Sequence, residues 1–334
     1  MKLSKTLNIK HLSLAATLMV LLFFVSCTPS SSAPDYLTPS EAGNEGQLPS
    51  PSVNDELADA AWQKRIVFHV GPVDLAAGTK VQDALDAPLE MTFQTNEAVW
   101  VTGFEPKVVD SAGTELPSEL LHQAIISNMH EENPLCSDAG SGNPLFIATS
   151  LLTGIELPQG YGYPLLPNDP IEAKIILANP TDQSYAGVYF ELTLVARPIN
   201  EFADLKDVKP MLLEMDACEH TPLEIEPGSF SEQTATYQVS KASKLVVAYA
   251  VLQDYGASVE LTAGTDLEPF WTAGADLDEQ HKIIQLSDNP YVDSGSVSFS
   301  AGDPLMVGIT YDNTSDKWLK GATAGAMVYV APTQ

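Results

Sequence analysis

Histidine, cysteine and methionine are the side chains of this sequence that could hold a redox metal. Beyond residue 60 the histidines are His69, His122, His130, His220 and His281. Soft donors also gather between Met211 and His220, and imidazole and sulfur ligands suit copper, which cycles between Cu(II) and Cu(I). This run predicts a copper site if its donors converge. It predicts an ordinary core segment if the methionines are buried and Cys218 is paired.

Motifs for other kinds of chemistry are not found in the sequence. It contains no Gly-x-Ser-x-Gly, no phosphate-binding glycine loop and no His-Glu-x-x-His, which argues against hydrolase, nucleotide-binding and zinc-protease functions. The acidic segments at residues 288–293 and 312–316 have two interpretations, as calcium ligands or as turn formers. Trp271 and Trp318 lie among turn residues, where each is either an exposed binding platform or part of the core.

The N-terminus predicts an export signal of the lipoprotein type. Three lysines precede an apolar run over residues 12–25 that is too short to cross a membrane. The run ends in Phe24-Val25-Ser26-Cys27, a sequence typical of lipoprotein signal cleavage, although a chance cysteine after an N-terminal helix is the alternative. We expect residues 1–26 to be removed. Cys27 would then carry a lipid that anchors the protein in the bacterial cell envelope, on either face of the outer membrane.

A flexible tether is expected over residues 27–55. This stretch consists mainly of Pro, Ser, Gly, Asn and Glu and has few large apolar residues. Such a composition buries too little apolar surface to offset the entropy lost on ordering. The tether would hold the folded part of the protein away from the membrane.

The charge of the chain limits its partners. The sequence has 44 acidic and 16 basic residues, a net charge of −28, and removal of the three lysines of the signal leaves 13 basic residues and a net charge of −31. So negative a protein is not expected to bind nucleic acid. It would also be repelled by anionic lipid headgroups, so we expect contact with the membrane only through the lipid on Cys27.

Cys136 and Cys218 are the cysteines that remain in the folded part. Disulfides persist in exported proteins, so a Cys136–Cys218 bond is one interpretation. Two buried free thiols are the other, because sequence gives no geometry for the pair.

Short segments with alternating or β-branched residues predict an all-β fold. Examples lie at residues 65–70, 98–102, 188–194 and 244–249, separated by Gly, Pro, Asn and Asp. This spacing is typical of β-sandwiches and jelly rolls. The segment from Ser118 to Ile126 shows the best helical periodicity but is apolar enough to be a buried strand.

A polar connection near residues 197–210 suggests two domains of ordinary size. We place the N-terminal domain at residues 56–200 and the C-terminal domain at residues 201–334.

Seven segments, in order, resemble the bacterial relatives of peptidylglycine alpha-hydroxylating monooxygenase, a copper type II, ascorbate-dependent monooxygenase. They are VTGFEPKVVD (101–110), LLHQAIISN (120–128), ELPQGYGYPLLPNDP (156–170), IILANP (175–180), AVLQDYGASVEL (250–261), GITYDNTSD (308–316) and GATAGAMVYV (321–330). The resemblance implies two tandem antiparallel jelly rolls with one copper in each, facing each other across a cleft. One copper would accept electrons from ascorbate, and the other would bind dioxygen and hydroxylate an activated carbon.

The resemblance also implies where copper ligands would lie in the first domain. Adjacent histidines of the family correspond to His122 and Gln123, and a further histidine corresponds to Ala178. His122 is thus the single family ligand that this chain retains.

In the second domain no family ligand remains. A His-x-His pair corresponds to Val251 and Gln253, and a methionine corresponds to Ala324. Met327 lies three residues further on, and alternation along a strand would point it to the opposite face.

From these replacements we expect a non-catalytic binding or structural module without a cofactor. Its ligand would be a small molecule, a peptide or a glycan in the cleft between the domains. The alternative is an active copper-dependent, ascorbate-using monooxygenase with a rebuilt ligand set.

Overall fold

Alternating apolar and polar residues build an almost purely antiparallel β-structure in the computed structural model. The structure describes residues 40–41, 63–85, 88–136, 142–152, 154–215, 217–218, 223–264, 268–293 and 295–333. Tertiary contacts place residues 36–334 in one unit. The other unit, residues 1–35, contains Cys27 and lies outside the described residues, and so does His220. None of the helices in the described ranges is long and apolar enough to cross a membrane.

In the described ranges the strands, numbered in chain order, are accompanied by one short helix, α1 (Val81–Leu85), and one 3-10 turn (Ser118–Leu120). Their bounds are β1 Ser40–Glu41, β2 Lys64–Leu75, β3 Leu89–Phe93, β4 Val99–Val109, β5 Leu121–Asn128, β6 Asn143–Ala148, β7 Ile155–Glu156, β8 Tyr161–Leu165, β9 Ile171–Leu177, β10 Tyr185–Pro198, β11 Lys206–Asp207, β12 Lys209–Glu214, β13 Leu223–Ile225, β14 Ser229–Gln238, β15 Ser243–Val251, β16 Gly256–Ala263, β17 Trp271–Leu277, β18 Ile283–Leu286, β19 Tyr291–Val292, β20 Ser298–Phe299, β21 Pro304–Asn313, β22 Leu319–Ala322 and β23 Gly325–Pro332.

Two sheets are built from the N-terminal strands. Sheet I has the order β1-β2-β10-β4-β8-β11, with β7 also paired to β4, and sheet II has the order β3-β9-β5-β6. Their buried faces pack together, and Phe104 of sheet I stacks on Phe146 of sheet II with ring centroids 4.8 Å apart. We call these strands the N-terminal strand group.

The remaining strands form the C-terminal strand group. Sheet III has the order β12-β23-β15-β19 with β20 beside β15, sheet IV has the order β14-β21-β16-β17-β18, and β13 pairs with β22. Sheet III is buried on both faces. On β23, Met327 and Tyr329 pack in the core shared with the N-terminal strand group, whereas Val328, and Ala324 just before the strand, pack against sheet IV. The predicted opposite orientation of Met327 and Ala324 is confirmed.

Two buried tyrosines of sheet III join the strand groups at an open sheet edge. β6 is the outer strand of sheet II, so the backbone groups on its outer side have no partner strand there. The Tyr249 hydroxyl lies 3.1 Å from both the amide nitrogen and the carbonyl oxygen of Ile147. The Tyr329 hydroxyl donates to the Leu145 carbonyl at 2.7 Å. These contacts satisfy backbone groups that would otherwise be buried without hydrogen bonds.

A buried asparagine holds the same kind of turn in each strand group. Asn179 Nδ2 lies 3.2, 3.0 and 2.6 Å from the carbonyl oxygens of Leu75, Ala76 and Gln183. Its Oδ1 accepts from the backbone and hydroxyl of Thr181, at 3.1 and 2.7 Å.

Asn313 repeats this arrangement in the C-terminal strand group. Its Nδ2 lies 3.2, 2.8 and 2.8 Å from the carbonyl oxygens of Ile225, Glu226 and Lys317, and its Oδ1 accepts from the backbone and hydroxyl of Ser315. A glycine amide also donates to a backbone carbonyl of each turn: Gly78 to Thr181 at 2.9 Å and Gly228 to Ser315 at 3.0 Å. Both glycines have a left-handed backbone conformation. The two strand groups therefore contain one structural repeat.

The all-β prediction is confirmed, and the segment from Ser118 to Ile126 is mostly strand β5. The disulfide interpretation is confirmed, with Cα atoms of Cys136 and Cys218 5.5 Å apart. The division into domains at residue 200 stays a prediction.

Trp271 is not a platform, because it is 3% exposed and its indole nitrogen donates to the Asp288 carbonyl at 3.0 Å. The acidic segments act as turns in the structure. Asp293 accepts hydrogen bonds from Gly295 and Val297, as Asn313 does from Ser315.

Candidate functional site

A cleft of about 740 Å³ lies between the two strand groups. Its N-terminal wall comes from residues within 78–81, 118–122, 150–151 and 178–180. Its C-terminal wall comes from residues within 252–255, 282–283 and 318–322. We call it the central cleft. Its volume is in the range of sites that enclose small molecules or a few residues of a polymer.

His122 and Gln253 meet in this cleft and connect its two walls. Gln253 Nε2 lies 3.0 and 3.2 Å from the two ring nitrogens of His122, and His122 Nε2 lies 3.2 Å from the Gly321 carbonyl oxygen. Gln253 Oε1 accepts the amide of Thr323 at 3.0 Å. An imidazole protonated on Nε2 satisfies both contacts, since it donates to Gly321 and accepts from Gln253 through Nδ1.

His122 is neutral at physiological pH. Burial lowers the pKa of its imidazole to about 4, and the hydrogen bond with the Gly321 carbonyl offsets only part of that effect. A neutral ring keeps the Nδ1 lone pair that accepts from the Gln253 amide. The contact between the two walls therefore requires that Nδ1 of His122 carry no proton.

This pKa predicts that the protein loses stability on mild acidification. The imidazole of an unfolded chain titrates near pH 6.5, so between pH 6.5 and 4 the unfolded state binds more protons than the folded state. Stability is complete above this window and falls with pH inside it, by roughly 3 kcal/mol from this group. Urea unfolding at pH 7, 5.5 and 4 measures the effect, with His122→Gln as the control. A parallel loss in both proteins would contradict the assignment to His122.

The other positions implied by the resemblance supply no copper donors. Ala178 lines the cleft with a methyl group, and Val251 and Ala324 are buried core residues. Gln123 is buried next to His122 on β5 and is not among the described residues that line the cleft. The side chains at these positions do not fit a copper ion, since a redox copper site needs several nitrogen or sulfur donors at one point.

Other predicted metal donors lie elsewhere or have different partners. Met211 is a core residue, and Cys218 is in the disulfide, so the described part of the Met211–His220 run is a structural segment. His130 bonds Asp169 at 2.8 Å and His69 bonds Glu191 at 2.8 Å. Within the described ranges, no three His, Cys, Asp or Glu side chains form a group able to hold a metal.

The mouth of the central cleft combines cations with aromatic rings. Lys80, Lys282 and Lys320 line it and are exposed. Trp318 also lines it and is 49% exposed. The acidic residues among the lining are Glu119 and Asp254. The sequence marked Trp318 as a candidate platform, but the lysines carried no local signal, because they are far apart along the chain.

Tyr255 forms a fixed part of the wall of the central cleft. Its backbone lies in the left-handed region, with φ 68°, and so does that of His281, with φ 60°. The two rings stack with centroids 5.2 Å apart, and His281 Nε2 lies 2.9 Å from the Thr314 hydroxyl. Non-glycine residues hold this backbone conformation only where surrounding contacts enforce it, and such positions are frequent at binding sites.

Comparisons with known proteins do not show a family for this chain. No family model matches the sequence, and no curated protein is similar to it. The crystal structure of the STIV MCP, a viral capsid protein, is similar over 79% of this chain and 95% of its own, with 10% identity and a TM-score of 0.28. A likeness of this size carries no argument about function.

Proposed function

We propose that the protein is a lipid-anchored, non-catalytic binding module of the bacterial cell envelope, with the central cleft as its binding site. The proposal extends to the scaffold, two tandem jelly rolls resembling those of the copper type II monooxygenases. Cys27 would carry the lipid, and the residues that follow would act as the tether. Contact with the membrane would occur through that lipid, on either face of the outer membrane.

The His122–Gln253 contact is the observation that carries the non-catalytic part of the proposal. In a copper enzyme of the implied type, these two positions would each serve a separate metal across an open cleft. Here their polar atoms are bonded to each other and to the backbone of Gly321 and Thr323. A metal ion at His122 would have to displace these bonds and would gain only one imidazole ligand, which is too few for tight binding of Cu(I).

The cleft itself supports a binding role. It is open to solvent at a mouth with exposed Trp318, and its walls are fixed by the His122–Gln253 contact and the Tyr255 ring stack. A preformed site loses little entropy when a ligand binds.

Copper loading tests the non-catalytic assignment. The soluble protein, starting after Cys27, is dialysed against copper, and bound metal and ascorbate-dependent oxygen uptake are then measured. We expect wild type and His122→Ala to retain the same small amount of copper, held by surface carboxylates, with no oxygen uptake. One copper per chain that disappears in His122→Ala, together with ascorbate-dependent turnover, would establish the rebuilt copper enzyme instead.

A further inference from the structure

We propose that the ligand of the central cleft is an acidic oligosaccharide, a short chain of sugars that bear carboxylate groups. This inference rests on the proposed function, because it names the ligand class of the same site. The observations behind it are the charge of the cleft, its exposed indole and the side-chain bonds already made by backbone groups of its described C-terminal wall.

The charge of the cleft differs from that of the chain. Overall the sequence has 44 acidic against 16 basic residues, whereas the described lining has three lysines, Lys80, Lys282 and Lys320, against two carboxylates. The described lining of a second cavity of about 450 Å³, near Leu135 and Tyr237, contains no charged residue. Cations gathered in one cleft of an acidic protein attract an anionic ligand to that cleft and away from the rest of the surface.

Among the residues that the structure describes, few carboxylates compete for these lysines. In the described part of the chain, neither Lys80 nor Lys282 has a carboxylate oxygen within 4.0 Å, and Lys320 has only a long contact of 3.8 Å with Glu224. Lys282 does interact electrostatically with the Asp254 carboxylate. Exposed pairs of this kind contribute little energy, so a ligand carboxylate can replace them at small cost.

Trp318 indicates a ligand with a flat apolar face. Tryptophan is usually well buried, yet the side chain of Trp318 is 49% exposed at the cleft mouth, beside Lys320. The C–H face of a pyranose ring can pack on an indole while its hydroxyl and carboxylate groups reach polar neighbours. Thr79 and Ser118 supply hydroxyl groups in the opposite wall.

An acidic peptide fits the cleft less well. One recurring way to hold an extended peptide is main-chain bonding to an open strand edge. On β22, in the C-terminal wall, the Gly321 carbonyl already accepts from His122, and one side of the strand pairs with β13. β18 begins in the same wall at Ile283, whose amide already donates to Asp254 Oδ1 at 3.2 Å. A peptide would therefore find no continuous row of backbone partners on β22, whereas a sugar needs only side-chain contacts.

Calorimetric titration with three probes tests the inference. The soluble protein is titrated with trigalacturonate, neutral maltotriose and hexaglutamate. We expect trigalacturonate to bind best, with at least about 10-fold weaker binding in the Lys80→Gln/Lys282→Gln/Lys320→Gln protein and in Trp318→Ala. The matched control, Lys174→Gln/Lys241→Gln/Lys244→Gln, removes the same charge outside the cleft and should bind as wild type. Thermal unfolding of each variant shows that it is folded.

The outcomes separate this inference from the proposed function. Binding of maltotriose or hexaglutamate in place of trigalacturonate, an equal loss in the control, or no binding of any probe at millimolar concentration overturns the acidic-sugar inference. The non-catalytic assignment stands in those cases and fails only if copper loading gives His122-dependent turnover.

Discussion

Loss of the Cys136–Cys218 disulfide is expected to lower the free energy of unfolding by about 4.5 kcal/mol, through the double substitution Cys136→Ser/Cys218→Ser. The bond closes a loop across a sequence separation of 82 residues and links the loop after β5 to the loop after β12. Without it, the unfolded chain regains the conformational freedom of that loop. Urea unfolding of the soluble protein, followed by tryptophan fluorescence, measures the difference.

Two features make this result specific to the covalent bond. Cys218 is exposed and Cys136 is partly exposed, so serine hydroxyls there are not forced into an apolar core. Wild type in excess reductant is the matched control and should unfold at the same urea concentration as the double variant. A change below about 1 kcal/mol would show that the local bonds, such as that of Asn133 to the Ala217 carbonyl at 3.2 Å, hold the two loops in both states.

Alanine at either buried asparagine turn is expected to cost roughly 4 kcal/mol. Asn313→Ala removes a fully buried side chain that donates to three backbone carbonyls and accepts from Ser315, so the hydrogen bonds that hold the turn are lost together. Asn179→Ala does the same in the N-terminal strand group. Chemical denaturation of both variants measures the losses.

The prediction also requires that the two alanine variants lose similar amounts of stability. The two losses should agree to within about 1 kcal/mol, because the two bonding patterns match. Asp316→Ala, three residues after Asn313 and exposed, is the control and should change stability by less than about 0.5 kcal/mol. A large loss in one turn with almost none in the other would contradict the structural repeat.

The repeat also shows what the sequence conceals. The segments ANPTDQ (178–183) and DNTSDK (312–317) share only an asparagine, a hydroxyl residue two positions on and the following aspartate. Such short, polar similarities are common by chance, so they do not identify a repeat until each asparagine is seen to hold a strand end 87 to 104 residues away.

The same limit applies to the candidate site. Trp271 and Trp318 both lie among turn residues, yet one is buried and the other exposed. Burial of a single tryptophan depends on which strands cover it, and the local sequence carries no such information.

The all-β character of this protein was determined by the sequence alone, because alternation along short strands is a local property. The strong acidity and the candidate status of His122 were equally visible in the residues. Only the tertiary structure decided that His122 meets Gln253, 131 residues away, and that lysines from three distant segments line one cleft. Contacts of this kind depend on how sheets pack, and their side chains leave no periodic trace in the chain.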